Sequence, residues 1–324
     1  MTRTEPAQAL ADAARRALRA PSILNTQPWR WRVHADGLEL FADRSRQLGS
    51  IDPSGRMLTL SCGAALHHAR VALSATGYDA TVARFPDPAD GDLLARIRVI
   101  DQHEPPEGAV DMLEAMRRRH TDRRPFAATV PVPPPALAAM TRAAEREDAR
   151  LHRIPAEDVP ALAAAVETAA AAEARTAAYQ ADLREWTHRP RAGGDGVTAE
   201  AVTAHMALPV HLRDFSGEET LLDPGFGTDR FAEFLVLATT NDTRYDWLRA
   251  GEATSAVWLA ATAVGLVGSV MSEVIEVPEA RALVGRLLPE PGHPQLVFRV
   301  GVDMQPPPYP KSARRPPSDV IEMA

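Results

Sequence analysis

A chain of 324 residues, 45% hydrophobic and 24% charged, can bury one large core or two ordinary ones and has the composition of a soluble globular protein. Its formal charge of -7 and pI near 5.8 exclude a broad nucleic-acid face, so any bound anion must meet a local basic cluster. Cys62 is the one cysteine, which excludes an intramolecular disulfide and a cysteine-based metal site and suits a reducing cytoplasm.

Residues 7–19 predict a helix, with Leu10, Ala13, Ala14, Ala17 and Leu18 at helical spacing and Pro21 ending it. The N-terminus runs into that Ala/Arg helix and not into a secretory apolar region. Residues 29–33 and 37–42 alternate apolar and polar side chains like two paired strands, with Ala35-Asp36-Gly37 as their turn. A strongly apolar helix follows over 58–76, strands over 81–85 and 94–100, and a helix over 112–119. Pro131-Val132-Pro133-Pro134-Pro135 marks the clearest break, a stiff connector. Alanine-rich helices come next, over 136–147 and 160–189. Gly193-Gly194-Asp195-Gly196 then interrupts the pattern, and the stretch to Phe226 has little periodicity, as in a lid or binding loop. A strand over 234–239, a helix over 251–264 and a strand over 295–302 complete the order. The longest apolar run, residues 256–267, is too short to span a bilayer.

The chain also repeats. The segment from Gly63 to Gly77 can be laid over that from Gly251 to Gly265, both small-residue helices closed by glycine. Alanine-rich helices align readily by chance, so duplication and coincidence both stay open at this point.

Three segments carry candidate chemistry. Residues 20–29, Ala-Pro-Ser-Ile-Leu-Asn-Thr-Gln-Pro-Trp, make a proline-bounded loop whose amides and backbone could satisfy the edge of a planar heterocycle, or simply a capped turn. Residues 117–126 hold five arginines within eight positions, with Thr121 among them. Arginine's planar fork matches phosphate oxygens, whereas the bland alternative is a solvated helix end. The tail from Tyr309 to Pro317 is basic and proline-rich, either a second phosphate clamp or a disordered terminus. Adjacent His67 and His68 on a helix point apart and make a poor metal pair. His188, His205 and His211 are scattered through the unpatterned region, and Glu218-Glu219 fall on a solvated loop there. No Gly-x-Gly-x-x-Gly, P-loop or Gly-x-Ser-x-Gly occurs.

Together these segments resemble the nitroreductase superfamily, and within it the long single-chain Acg-like subgroup. Ala-Pro-Ser-x-x-Asn-x-Gln-Pro-Trp at 20–29 and Arg119-His120-Thr121-Asp122-Arg123 are the most specific signals; residues 265–272, 295–301 and the tail add to them. The resemblance implies an α+β nitroreductase-like fold built from two related halves, residues 1–115 and 116–324, as an intramolecular pseudo-dimer. It implies one FMN per chain, because the first half offers only Arg15, Arg16 and Arg19 ahead of Pro21. Pro21, Ser22, Ile23 and Asn25 would form one wall. Backbone at Met271 and Ser272 would approach the flavin N5. Arg119, Thr121, Arg123, Lys311 and Arg314 would hold the phosphate. The flavin carries the chemistry, so no acid–base residue is expected and no metal. Electrons would pass from NAD(P)H through FMN to a nitroaromatic, quinone or similar small acceptor, in a monomer that needs neither nucleic acid nor membrane. The alternative is a flavin-sequestering protein, its FMN closed off by a lid over 189–226 hinged at Gly193–Gly196.

Overall fold

Pro6 opens the first helix, α1 (Pro6–Ala17), where its missing amide costs nothing, and the predicted stripe of Leu10, Ala13, Ala14 and Ala17 is buried. The computed structural model describes residues 5–203, 208–215, 220–303 and 309–324; His205 and Glu218-Glu219 lie outside these. Strands β1 (Trp29–Val33) and β2 (Gly37–Ala42) pair antiparallel over the predicted ranges, and Trp29, Trp31 and Val33 point inward. Helix α2 (Arg56–Ser74) leads into strands β3 (Tyr78–Arg84) and β4 (Leu93–Gln102) and helix α3 (Ala109–Arg118). The expected half boundary at 115 falls inside α3. Its Ala115 and Met116 pack on Leu259 of the later half.

The proline run starts helix α4 (Pro134–Glu145) directly, with Pro134 in its first turn and Val132 buried. Strand β5 (Arg150–Arg153) follows, too short to leave an alternation in the sequence. The single helix expected over 160–189 is two, α5 (Val159–Arg175) and α6 (Ala177–Trp186), because Thr176 takes an extended conformation between them. After β6 (Glu233–Thr239), helix α7 (Arg244–Ala263) begins seven residues earlier than periodicity indicates. Thr243 and Asp246 form a reciprocal capping box there. The chain ends through β7 (Leu266–Met271), short helices α8 (Glu273–Glu276) and α9 (Pro278–Gly285), β8 (His293–Val302) and β9 (Ile321–Met323).

Two sheets result, ordered β3-β4-β2-β1-β9 and β5-β6-β8-β7. Read in reverse, the second is β7-β8-β6-β5, the same arrangement as β3-β4-β2-β1 about the two central helices, and all these pairs are antiparallel. Strand β9 crosses back from the C-terminus to lie parallel to β1.

Helices α2 and α7 meet at the two glycines that open the sequence repeat. A Cβ at Gly63 would stand 2.1 Å from the Leu248 carbonyl oxygen, and one at Gly251 would stand 2.0 Å from that of Leu60. Only glycine lets the backbones come so close. Both helices then end on left-handed glycines, Gly77 and Gly265, with φ of 79° and 83°. His67 and His68 do not diverge as expected of neighbours. Both bring Nδ1 to 2.8 Å from the Ser255 hydroxyl of α7, in a setting whose burial keeps them neutral.

Candidate functional site

A cleft of about 1200 Å³, counting its open mouth, lies between the central helices, the 20–29 loop, the arginine segment and the C-terminal tail. Pro21, Ser22, Ile23 and Asn25 line it from the loop. Arg119, Thr121 and Arg123 line it from the segment after α3, Ser272 from the end of β7, and Arg314 from the tail. Met271 does not: its side chain is fully buried in the core beneath β7. Lys311 is exposed and outside the lining.

The loop is held in an uncommon conformation. Leu24, Asn25 and Gln27 have φ of 42°, 55° and 50°, left-handed values that non-glycine residues adopt at a cost of about 1–3 kcal/mol each. The surroundings impose it. The Ser22 hydroxyl accepts from the Gln27 amide at 2.9 Å, the Ile23 amide donates to Ser61 Oγ at 3.1 Å, and Arg46 Nε donates to the Thr26 carbonyl. Cys62 is buried beneath, 3.2 Å from the Pro28 carbonyl, and burial pushes its thiol well up.

The polar side chains of this loop fasten neighbouring segments. Asn25 Nδ2 donates to the carbonyls of Gly196 (3.0 Å) and Ala313 (3.1 Å), and its Oδ1 accepts from Arg314. Gln27 Nε2 donates to Gly194, and its Oε1 accepts from the Arg315 amide. The expected hinge at Gly193–Gly196 is therefore tied down, and Asp195 adds ion pairs to Arg46 and Arg189. Gly196, Val197, Thr198 and Ala201 form a wall of the cleft as a result.

The arginines divide by partner. Arg117 pairs with Glu114 on the surface, and Arg124 is locked to buried Asp122, which lies well below the usual carboxylate range despite its burial. Arg119 and Arg123 have no carboxylate partner among the described residues. Arg119 is buried over the Trp258 ring at 4.7 Å, its Nε and Nη1 making no hydrogen bond, and burial with the nearby Arg314 charge lowers its pKa to about 9. Arg314 is half-buried, reaches only carbonyl and amide oxygens, and desolvation lowers it to about 10. Arg123 donates to the Ala201 carbonyl and lies over Phe215. A buried cation without a counter-ion is expensive, so arginines placed this way favour an anion in the cleft.

Sequence reasoning missed a second polar group on the opposite wall. Arg213 and Glu273 line the cleft, and behind them lie Glu276, Glu173 and Tyr179. Burial raises the Glu273 carboxyl to about 7, against the pull of Arg213 and with a push from Glu173 and Glu276. Arg213 sits in the unpatterned stretch, and Glu273 falls between the predicted elements, so neither left a spacing signal.

No family model matches the chain. A protein of Mycobacterium tuberculosis provisionally named NAD(P)H nitroreductase Rv3131 is 39% identical over 310 residues, 94% of this chain and 89% of the relative. A second from that organism, provisionally named NAD(P)H nitroreductase acg, is 36% identical over 321 residues, covering 97% and 95%. A third, Rv3127, named only as an uncharacterized protein, is 33% identical over 302 residues, 90% of this chain and 86% of its own. Among solved structures, a nitroreductase with bound FMN from Bacteroides fragilis is 15% identical, covering 63% of this chain and 94% of that one, with a TM-score of 0.40.

Proposed function

Because the chain belongs to the nitroreductase family, we propose that it binds one FMN in the cleft and passes electrons from NAD(P)H to a nitroaromatic, quinone or similar acceptor. One observation carries this reading: the buried Arg119 guanidinium, with two nitrogens unsatisfied and no carboxylate partner among the described residues, beside an Arg314 that also lacks one. A phosphate placed between them would relieve both, and charge-assisted bonds to phosphate are the strong kind. Bound flavin would supply the two-electron chemistry. The protein's part is to hold it: Arg119, Arg123 and Arg314 take the phosphate charge, the strained 21–25 loop lies against the ring system, and residues 196–201 exclude water. The matching order of the two sheets and the Gly63–Gly251 contact favour an intramolecular pseudo-dimer, with halves meeting near α3.

The first test is colour. Protein purified without added flavin should carry an FMN spectrum, and NADPH added anaerobically should bleach it within seconds. Arg119→Ala/Arg123→Ala should bind FMN at least tenfold more weakly, since a charged hydrogen bond contributes roughly 1.5–3 kcal/mol. Undiminished binding by the double variant would overturn the assignment. The tie of Gly194 and Gly196 to Asn25 and Gln27 favours a second reading, flavin sequestration under a closed wall. Bleaching by dithionite but not by NADPH would select it.

A further inference from the structure

We propose that Glu273 supplies the proton that accompanies electron transfer to the acceptor in the cleft, with Arg213, Glu276, Glu173 and Tyr179 as the positioning cluster behind it. This rests on the flavin reading above and departs from the expectation that the site needs no acid.

The geometry requires a proton in this cluster. Tyr179 Oη lies 2.6 Å from Glu173 Oε1 and 2.6 Å from Glu276 Oε2. One hydroxyl hydrogen serves only one of these contacts, so the other needs a carboxyl hydrogen donated to the tyrosine oxygen. The charges agree. Three carboxyls, Glu173, Glu273 and Glu276, face one guanidinium, and their side chains are 9%, 6% and 1% exposed. Three buried anions against one cation would leave net charge in a low-dielectric site, which neutralises by taking up protons.

Among the three, Glu273 opens onto the cleft. It is also the least compensated. Arg213 Nη2 donates to Glu276 at 2.6 Å and reaches Glu173 at 3.3 Å, but lies 3.8 Å from Glu273. Among the described residues, the charged groups facing Glu273 are Arg213 from the covering loop, Glu173 from α5 and Glu276 from α8; Asp52, at the foot of α2, faces Glu276. An acid raised to about 7 by burial is protonated below that pH and still releases its proton readily, the balance a general acid needs.

The step balances. A quinone becomes a hydroquinone by gaining two electrons and two protons. Hydride originating from NAD(P)H, which becomes NAD(P)+, brings both electrons and one proton. The Glu273 O–H bond breaks as an O–H bond forms on the quinone oxygen, and the carboxylate left behind regains its proton from solvent at the mouth.

The test compares the flavin-loaded wild type with Glu273→Gln and Glu273→Asp. Each is reduced anaerobically, mixed with a simple benzoquinone and followed by flavin absorbance from about pH 6 to about pH 8.5. Wild-type reoxidation should slow as pH rises through about 7; Glu273→Gln should be at least about tenfold slower at pH 6 and flat, and Glu273→Asp should regain a pH dependence. Infrared titration gives a readout independent of turnover: a carboxylic-acid C=O band lost near pH 7 in wild type should be missing from Glu273→Gln. A flat wild-type profile, an unchanged rate in Glu273→Gln, or a carboxylic-acid band still lost near pH 7 in that variant would overturn the proposal. Failure of the wild type to bind FMN would overturn the flavin reading instead and remove the proposal's premise.

Discussion

Replacing Arg119 with methionine should push two properties in opposite directions, and the structure sets both magnitudes. The guanidinium is 9% exposed, stacked on Trp258, and leaves Nε and Nη1 without partners. An unsatisfied buried donor costs roughly 1–3 kcal/mol, and methionine keeps most of the bulk over the indole without the charge. Flavin-free Arg119→Met should therefore be about 1–3 kcal/mol more stable than wild type in urea unfolding. Its FMN affinity should fall tenfold or more, since a charged phosphate contact is lost. A pH series adds a signed check. The folded pKa is about 9, lowered by burial and by Arg314 from the ordinary arginine value, so the unfolded chain binds the extra proton above that pH. Wild-type apoprotein stability then rises with pH above about 9, and the variant's advantage should shrink there. A variant that is less stable than wild type yet binds FMN with full strength would refute the anion-site argument on both counts.

Gly251→Ala should destabilise the protein by about 1–3 kcal/mol or more in urea unfolding, because its Cβ would stand 2.0 Å from the Leu60 carbonyl oxygen on backbone that cannot yield cheaply. Gly265→Asn should be tolerated far better, since nothing lies within 4 Å of a Cβ there and asparagine accepts the left-handed conformation. Asp195→Asn weakens the ties to Arg46 and Arg189, so bound FMN should leave about fivefold faster in a dilution assay, the equivalent of roughly 1 kcal/mol. Burial opposes ionisation of Asp195, but the Arg189 and Arg46 bonds win and lower its pKa, so the tie is complete above the ordinary aspartate value and fades only in stronger acid. The effect of Asp195→Asn should accordingly be constant from about pH 5 to pH 8, and a strong pH dependence there would show that the wall is held otherwise.

What the sequence made legible follows from what each feature depends on. The β1–β2 hairpin was readable to the residue because its alternation and its turn are local properties. Gly63 and Gly251, which open the sequence repeat, mark a contact of two helix backbones, where only glycine fits. The start of α7 was not readable, because its cap rests on a Thr243–Asp246 pair ahead of the apolar run. In the site, an Arg-rich segment advertises an anion but not which arginines are free. That depends on Asp122, which claims Arg124, and on Trp258, over whose ring Arg119 packs instead of against a carboxylate. Asn25 reads as a ligand contact by type, whereas two segments distant in sequence, at Gly196 and at Ala313–Arg314, converge on its amide. The Glu273 cluster depends wholly on convergence. Its five members come from α5, α6, α8 and the irregular stretch, so no window of sequence contains it.

The two related sheets raise the question of why one cleft should serve and not two, and the Gly63-to-Gly251 offset of 188 residues answers it residue by residue. Ser61 and Ala64 of α2 line the cleft; at the same offset on α7 stand Arg249 and Glu252. Ser272, at the end of β7, also lines it; its counterpart at the end of β3 is Arg84. Where one side places small side chains and leaves space, the other places long charged ones that fill it. Glu252 is fully buried and accepts from Arg84 at 2.7 and 2.9 Å, from Arg70 at 2.7 Å and from Arg249 at 3.2 Å. Glu147 accepts from Arg70 and Arg249 in turn. Each of these cations already faces carboxylates, unlike Arg119 and Arg314, so their charge is not free for a phosphate. Removing one partner of such a buried network costs about 3–5 kcal/mol, because the charges left behind cannot be solvated. The second place is therefore closed by structure that the fold cannot give up cheaply, which supports the proposal of one FMN per chain.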